Sequence, residues 1–101
     1  MASGVRQKET LFSLKGATGS SPWIDCSESE SLTVEVNGIN GDTVQIHGTN
    51  RPDLPASGTD DIVLVTAPAD GIYVIAGPIG FVKAKVSAYS AGSINVWLRG
   101  I

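Results

Sequence analysis

The chain has 101 residues, enough for one domain with a single hydrophobic core but too few for a second one. Charged residues make up only 17% of the chain, where about a quarter is usual, so part of the surface is expected to contact a partner. The net charge is −3 and the seven basic residues are scattered, which argues against nucleic-acid binding.

Cellular location follows from features that the chain lacks. Cys26 is the single cysteine, so no disulfide within the chain can stabilise the fold. MASGVRQKET has no apolar segment after its charges, and no apolar run approaches the ~18 residues of a membrane helix. We therefore expect a chain that is made in the cytosol, stays soluble and binds no membrane. Residues 1–8 lack a strand pattern and are expected to form an N-terminal arm, with one domain over residues 9–101.

Alternation of apolar and polar residues predicts the first strands. ETLFSL and the shorter PWIDC lie at the front of the chain. Further along, Leu32, Val34 and Val36 alternate with polar residues and are predicted to face a core from a half-buried strand.

The next strand is predicted over TVQIHGT. Its pattern places Val44 and Ile46 inward and His47 on the polar side. The intervening NGINGD supplies glycines for a tight turn, so this strand and the preceding one are predicted to form a hairpin.

Residues 50–60 contain two prolines and no periodicity, which predicts a loop. DIVLVTA and GIYVIAG then run as continuous apolar stretches around the turn PADG. Such runs are typical of strands that are covered on both faces or lie at a junction between sheets.

The chain ends in two regular alternating segments, FVKAKVSAY and INVWLR. The second segment places Trp97 opposite to the core. Residues 81–98 contain no proline, and only Lys83 and Lys85 interrupt their outward face with charge. We therefore predict a rigid final hairpin that presents a face for assembly.

No window of eleven or more residues has the apolar spacing of a helix. About eight short strands separated by turns predict an all-β protein with essentially no helix. The fold class expected is an antiparallel, jelly-roll-like β-sandwich.

Catalytic motifs are scarce. His47 is the sole histidine and no nucleophile motif accompanies it, so a solvent-facing or interface histidine is favoured. Cys26 has acidic neighbours, which disfavour a reactive thiolate, and is expected to be a small buried residue. GATGSS has no helix after it that could bind phosphate.

Acidic residues do not have the spacing of a calcium loop, so solvated turn carboxylates are the favoured interpretation. The oxygen donors considered are Asp25, Glu28, Glu30, Asn37, Asn40, Asp42, Asp60 and Asp61. We expect no enzyme, no metal and no cofactor.

Four aromatic residues leave two kinds of binding open. Trp23, Tyr73, Tyr89 and Trp97 could stack on sugar rings, but such residues also anchor protein interfaces. Carbohydrate binding would need two of them side by side on one concave face.

Residues 22–99 resemble small β-sandwich virion proteins of tailed bacteriophages. The match is carried by VEVNG at residues 34–38, by GTN at residues 48–50, and by FVKAKVSAYSAGSINV at residues 81–96. The resemblance implies a structural role as a capsid cement or decoration protein. A tail, fibre or neck protein, or a carbohydrate-binding module for host recognition, remains the alternative.

The resemblance also implies partners. These are the major capsid protein and further copies of the chain, with a trimer favoured, on the exterior of the virion capsid. The contacts are expected in the arm, the 50–60 loop and outward aromatic residues. The predicted interface residues are Arg6, Lys8, Arg51, Asp53, Leu54, Tyr89 and Trp97.

Overall fold

The computed structural model describes residues 7–56, 58–76 and 78–101. Within them the chain forms nine strands and no helix, and hence no helix that could cross a membrane. The strands are β1 (Gln7–Lys15), β2 (Gly19–Ser20), β3 (Ile24–Asp25), β4 (Ser31–Asn37), β5 (Thr43–Thr49), β6 (Ile62–Ala67), β7 (Gly71–Ala76), β8 (Phe81–Ala88) and β9 (Ile94–Gly100).

Two antiparallel sheets pack face to face. The first sheet has the order β1-β9-β4-β7, and the second has the order β2-β8-β5-β6 with β3 also paired to β8. Since β2 and β3 bind the same strand on either side of Pro22, they are two halves of one interrupted strand. The result is an eight-stranded jelly roll, which confirms the predicted fold class.

The predicted pairing of neighbouring strands is wrong. β4 pairs with β7 and β9 in the first sheet, whereas β5 pairs with β6 and β8 in the second. The NGINGD turn therefore crosses from one sheet to the other. Alternation shows which side of a strand faces the core, but it does not determine which strand supplies the hydrogen bonds.

The last two strands do not form the predicted exposed hairpin either. β8 lies in the second sheet and β9 in the first, and each has paired strands on both sides. They are central strands, so they cannot offer a free edge to another chain.

Inward-facing residues of both sheets make one core, in agreement with the predicted alternation. Leu32, Val34 and Val36 of β4 pack with Val44 and Ile46 of β5. Cys26 is buried in the same core, which confirms the prediction of a small buried residue. Burial raises the pKa of its thiol to about 12, and the charges of nearby carboxylates add to that effect.

The predicted arm is too long by two residues. β1 begins at Gln7, so Gln7 and Lys8 belong to the first strand. Arg6 and the rest of residues 1–6 lie outside the described residues, as do Ser57 and Gly77.

Asp42 is not the solvated turn carboxylate that was predicted, because it is buried between two turns. Its carboxylate accepts hydrogen bonds from the backbone N–H of Asn40, at 2.9 Å, and of Ser90. Burial alone would raise the pKa of Asp42, but these donors outweigh it and hold the pKa below its ordinary value. The carboxylate therefore joins the β4–β5 turn to the β8–β9 turn.

Substitution of Gly38 tests the close contact between the β4–β5 turn and the β8–β9 turn. Its φ is 90°, and a Cβ at this position would overlap with the backbone carbonyl of Ser93. Gly38→Ala should therefore lower the free energy of unfolding, measured in urea, by more than about 1 kcal/mol. Gly58→Ala is the matched control, since its Cβ would enter open space, and should change stability little. Equal losses in the two variants would contradict the strained turn.

Candidate interaction surface

Part of the outer face of the second sheet, around Lys83 and His47, is covered by the chain itself. The β5–β6 loop, described over residues 50–56 and 58–61, runs from β5 to β6 and lies over this part of the face. The indole Nε1 of Trp23 donates to the backbone carbonyls of Ala56, at 3.1 Å, and Thr59, at 3.2 Å. These hydrogen bonds hold the loop against the sheet and bury the indole.

Lys83 lies under this loop with 0% of its surface exposed. Its ammonium donates to Asp60 at 2.8 Å and to the hydroxyl of Ser20 at 3.2 Å, and lies 5.3 Å from the centre of the Trp23 ring. Lys85 binds the other oxygen of Asp60 at 2.6 Å. The two ammonium groups hold the pKa of the Asp60 carboxyl well below its usual range. Both lysines face outward from β8 as predicted, but the loop buries Lys83.

His47 is a second residue that the loop removes from solvent. It is the cross-strand neighbour of Lys83 and is only 3% exposed, so the prediction of a solvent-facing or interface histidine is wrong. Its Nε2 lies 3.2 Å from the Gln45 side-chain oxygen. Burial lowers the pKa of His47, while the opposite charge of Asp60 partly compensates for this effect.

In contrast, the outer face of the first sheet carries no covering loop among the described residues. Two rows of directly opposed side chains cross its four strands. We call this surface the Trp97 face; its residues are Lys8, Thr10, Thr33, Glu35, Ile72, Val74, Trp97 and Arg99.

Apolar side chains on the Trp97 face are unusually exposed. Ile72 is 68% exposed, Val74 is 76% exposed and Trp97 is 40% exposed. A shallow open groove runs beside Trp97 and is lined by Ile72, Glu35 and Arg99 among others. Large apolar side chains that cluster on one face are typical of a protein contact, whereas single exposed ones are ordinary.

Two cations on the Trp97 face, Lys8 and Arg99, make no salt bridge among the described residues. Lys8 and Arg99 are direct cross-strand neighbours, an arrangement that costs stability for like charges. A partner with carboxylates beside an apolar patch would complement this face.

The predicted interface residues fall into separate places. Lys8 and Trp97 lie together on the Trp97 face. Arg51, Asp53 and Leu54 lie in the β5–β6 loop over the opposite sheet, where Arg51 binds Asp61 at 3.0 Å. Tyr89 follows β8 and donates to the carbonyl of Gly92 in its own turn. The predicted set therefore does not make one surface.

Sequence reasoning missed Ile72, Val74 and Arg99 as candidate interface residues. GIYVIAG was interpreted as a strand covered on both faces or at a sheet junction. Its turn does connect the two sheets, but β7 is an edge strand with one exposed face. The lack of charge in GIYVIAG was the one available indication of a contact surface. An apolar run alone, however, does not distinguish a buried strand from an exposed edge strand.

Sugar stacking has weaker support in the structure. Trp23 is buried under the β5–β6 loop, and Tyr73 packs against the core. On the described part of the Trp97 face, Trp97 is the one aromatic residue. The pair of neighbouring aromatic residues that carbohydrate binding was expected to need is not formed there.

A scan against protein-family models and searches of curated proteins and of solved structures found no match to this chain. Among the described residues, no three His, Cys, Asp or Glu side chains form a group that could hold a metal ion. The geometry of the exposed surfaces therefore carries the functional argument.

A double-mutant cycle on Asp60 and Lys83 tests whether their ion pair holds the β5–β6 loop against the sheet. Asp60→Asn should lower the urea midpoint, because it removes a carboxylate from a buried ammonium. The same change should cost less in a Lys83→Met background, where no buried charge remains. Asp53→Asn, an exposed carboxylate of the same loop, is the control and should be close to neutral. Equal costs in both backgrounds would show that the pair does not hold the loop.

His47 predicts a pH dependence of stability. Its pKa in the folded chain is lowered from 6.5, so the unfolded chain binds the proton more readily. The free energy of unfolding should then fall as the pH is lowered from about 6.5 to about 5. His47→Gln should remove this part of the slope, as measured by urea unfolding at several pH values. An unchanged slope in the variant would refute the assignment to His47.

Proposed function

We propose that this chain is a bacteriophage capsid cement or decoration protein, which binds the assembled capsid surface from outside and stabilises it. The resemblance to small virion proteins supports the biological setting. The disulfide-free jelly roll supports a rigid structural role. In this proposal the main partner is the major capsid protein.

One observation carries the proposal: the two outer faces of the sandwich differ. The β5–β6 loop covers the central part of one face, around Lys83 and His47, while the other face exposes Trp97, Ile72 and Val74 on a regular sheet. An exposed aromatic residue that shares a face with exposed apolar side chains and charged residues has the composition of a protein interface. Lys8 and Arg99 would then meet acidic groups of the capsid surface.

The number of copies in a virion separates the competing functions. A tail, fibre or neck protein could use the same face, so the number of copies in a virion decides between these locations. Quantitative mass spectrometry of purified virions should give hundreds of copies for a cement protein and a handful for a tail component. A copy number near that of tail proteins would contradict the capsid assignment.

Stabilisation of the particle is a second expectation. Binding to the assembled lattice stabilises that state by mass action. Particles that lack the protein should lose their genome at a lower temperature than complete particles, and in low salt that complete particles survive. Adding back the purified chain should restore the stability of complete particles.

Trp97 should dominate the binding to particles. Trp97→Ala is expected to weaken binding at least about tenfold, because exposed aromatic residues at interface centres commonly contribute more than about 1.4 kcal/mol. Leu54→Ala is the matched control, since Leu54 is also an exposed apolar residue but lies in the loop over the other sheet. Co-sedimentation with particles that lack the protein measures both variants. Loss in Leu54→Ala with normal binding by Trp97→Ala would assign the contact to the opposite face.

A further inference from the structure

The edge formed by β7 has the properties of a strand that pairs with another chain. Among the described residues, β7 pairs with β4 and with no other strand. That pairing runs through six residue pairs without a register shift, so the backbone is regular along its whole length. The strand contains no proline and no charge. Its free N–H and C=O groups can therefore accept a further strand.

Other edges of the sandwich are less suitable for pairing. β1 has two register shifts and a residue with positive φ, Leu14, and it carries Lys8 and Lys15. The β2–β3 edge is interrupted at Pro22, and the β6 edge has a register shift against β5 next to His47. Bulges, lysine and proline are the devices by which natural sheets prevent pairing at their edges. β7 has none of these devices.

Charge favours a second copy of this chain as the occupant. Asp70 is the one charged residue between residues 62 and 82, so β7 and the adjacent edge of the other sheet, β6, both lack charge. A strongly charged partner would gain nothing there, whereas an identical uncharged edge is complementary to it. Antiparallel pairing also keeps the two Asp70 carboxylates about 20 Å apart along the strands, beyond the ~10 Å Debye length.

We propose that two copies associate about a two-fold axis by antiparallel pairing of β7 with β7, which joins their first sheets into one continuous eight-stranded sheet. The two cores must lie on the same side of the joined sheet, so residues that face each other across the axis have to share a face. The register that pairs the exposed side chains places Ile72 of one copy opposite Val74 of the other. The outer surface then carries two Trp97 faces side by side.

This geometry differs from the trimer that the resemblance implies. A ring of three would need β7 to contact a different edge of its neighbour; the edges at β1 and β2–β3 are protected, and the β6 edge is irregular because its register with β5 shifts next to His47. The inference concerns the protein in free solution, so it does not depend on the capsid role. Failure of particle binding would leave it intact, and its own failure would leave particle binding intact.

The mass of the purified chain tests the self-association. Sedimentation equilibrium over micromolar to millimolar concentration should give a reversible dimer. Val74→Lys should give a monomer with an unchanged melting temperature, because Val74 is largely exposed in the single chain. Ser13→Lys places the same charge on β1, at the opposite edge of the same sheet, and should leave the dimer intact. A monomer or a trimer for the unmodified chain, or dissociation by both variants, would overturn the proposal.

Single cysteines test the register. An equimolar mixture of Ile72→Cys and Val74→Cys should form a disulfide-linked heterodimer on mild oxidation, because directly opposite Cβ atoms lie about 5 Å apart. Either variant alone should cross-link poorly, since its two cysteines are then diagonal neighbours at about 7–8 Å. Cys26 is buried and should not react. Equal cross-linking of each variant alone and of the mixture would exclude this register.

Discussion

The ion pair between Lys83 and Asp60 decides which surface this protein leaves open. Lys83 lies at the centre of the second sheet's outer face and is fully buried. A buried ammonium destabilises the fold unless a carboxylate pairs with it, and here Asp60 does so. Asp60 comes from the β5–β6 loop, so satisfying the lysine also brings that loop over the sheet. Trp23 and His47 are buried as a consequence. The first sheet has no such cover among its described residues, and its outer face remains for a partner.

The open face and the open edge point in different directions. The Trp97 face is a broad, regular surface with apolar residues beside two cations, and it is suited to lie flat on a larger body. The β7 edge borders the same sheet and offers backbone hydrogen bonds sideways. Ile72 and Val74 belong to both surfaces, so self-association would place two binding faces next to each other. Such an arrangement would raise the apparent affinity for a surface with repeated sites.

Side-chain alternation predicted the core correctly but not the pairing of strands. Val34 and Ile46 face inward as expected, and Trp97 faces outward. Strand neighbours were wrong because a turn such as residues 37–42 can either reverse a chain within one sheet or carry it across the core. Both paths bury the same side chains. Hydrogen-bond partners depend on where distant strands lie, and local sequence does not contain that information.

The amino-acid sequence by itself determined that this protein is an all-β sandwich. Its apolar residues recur mainly with a period of two, which fits strands with one core-facing side and does not fit a helix. It also determined that Cys26 and the alternating valines would be inside. Only the tertiary structure decided which polar residues on the outer faces are buried and which are exposed. Lys83 and His47 are buried and Arg99 is exposed, although all three occupy outward positions on strands. The difference arises because the β5–β6 loop folds over Lys83 and His47 on the second sheet, whereas no described loop covers the outer face of the first sheet.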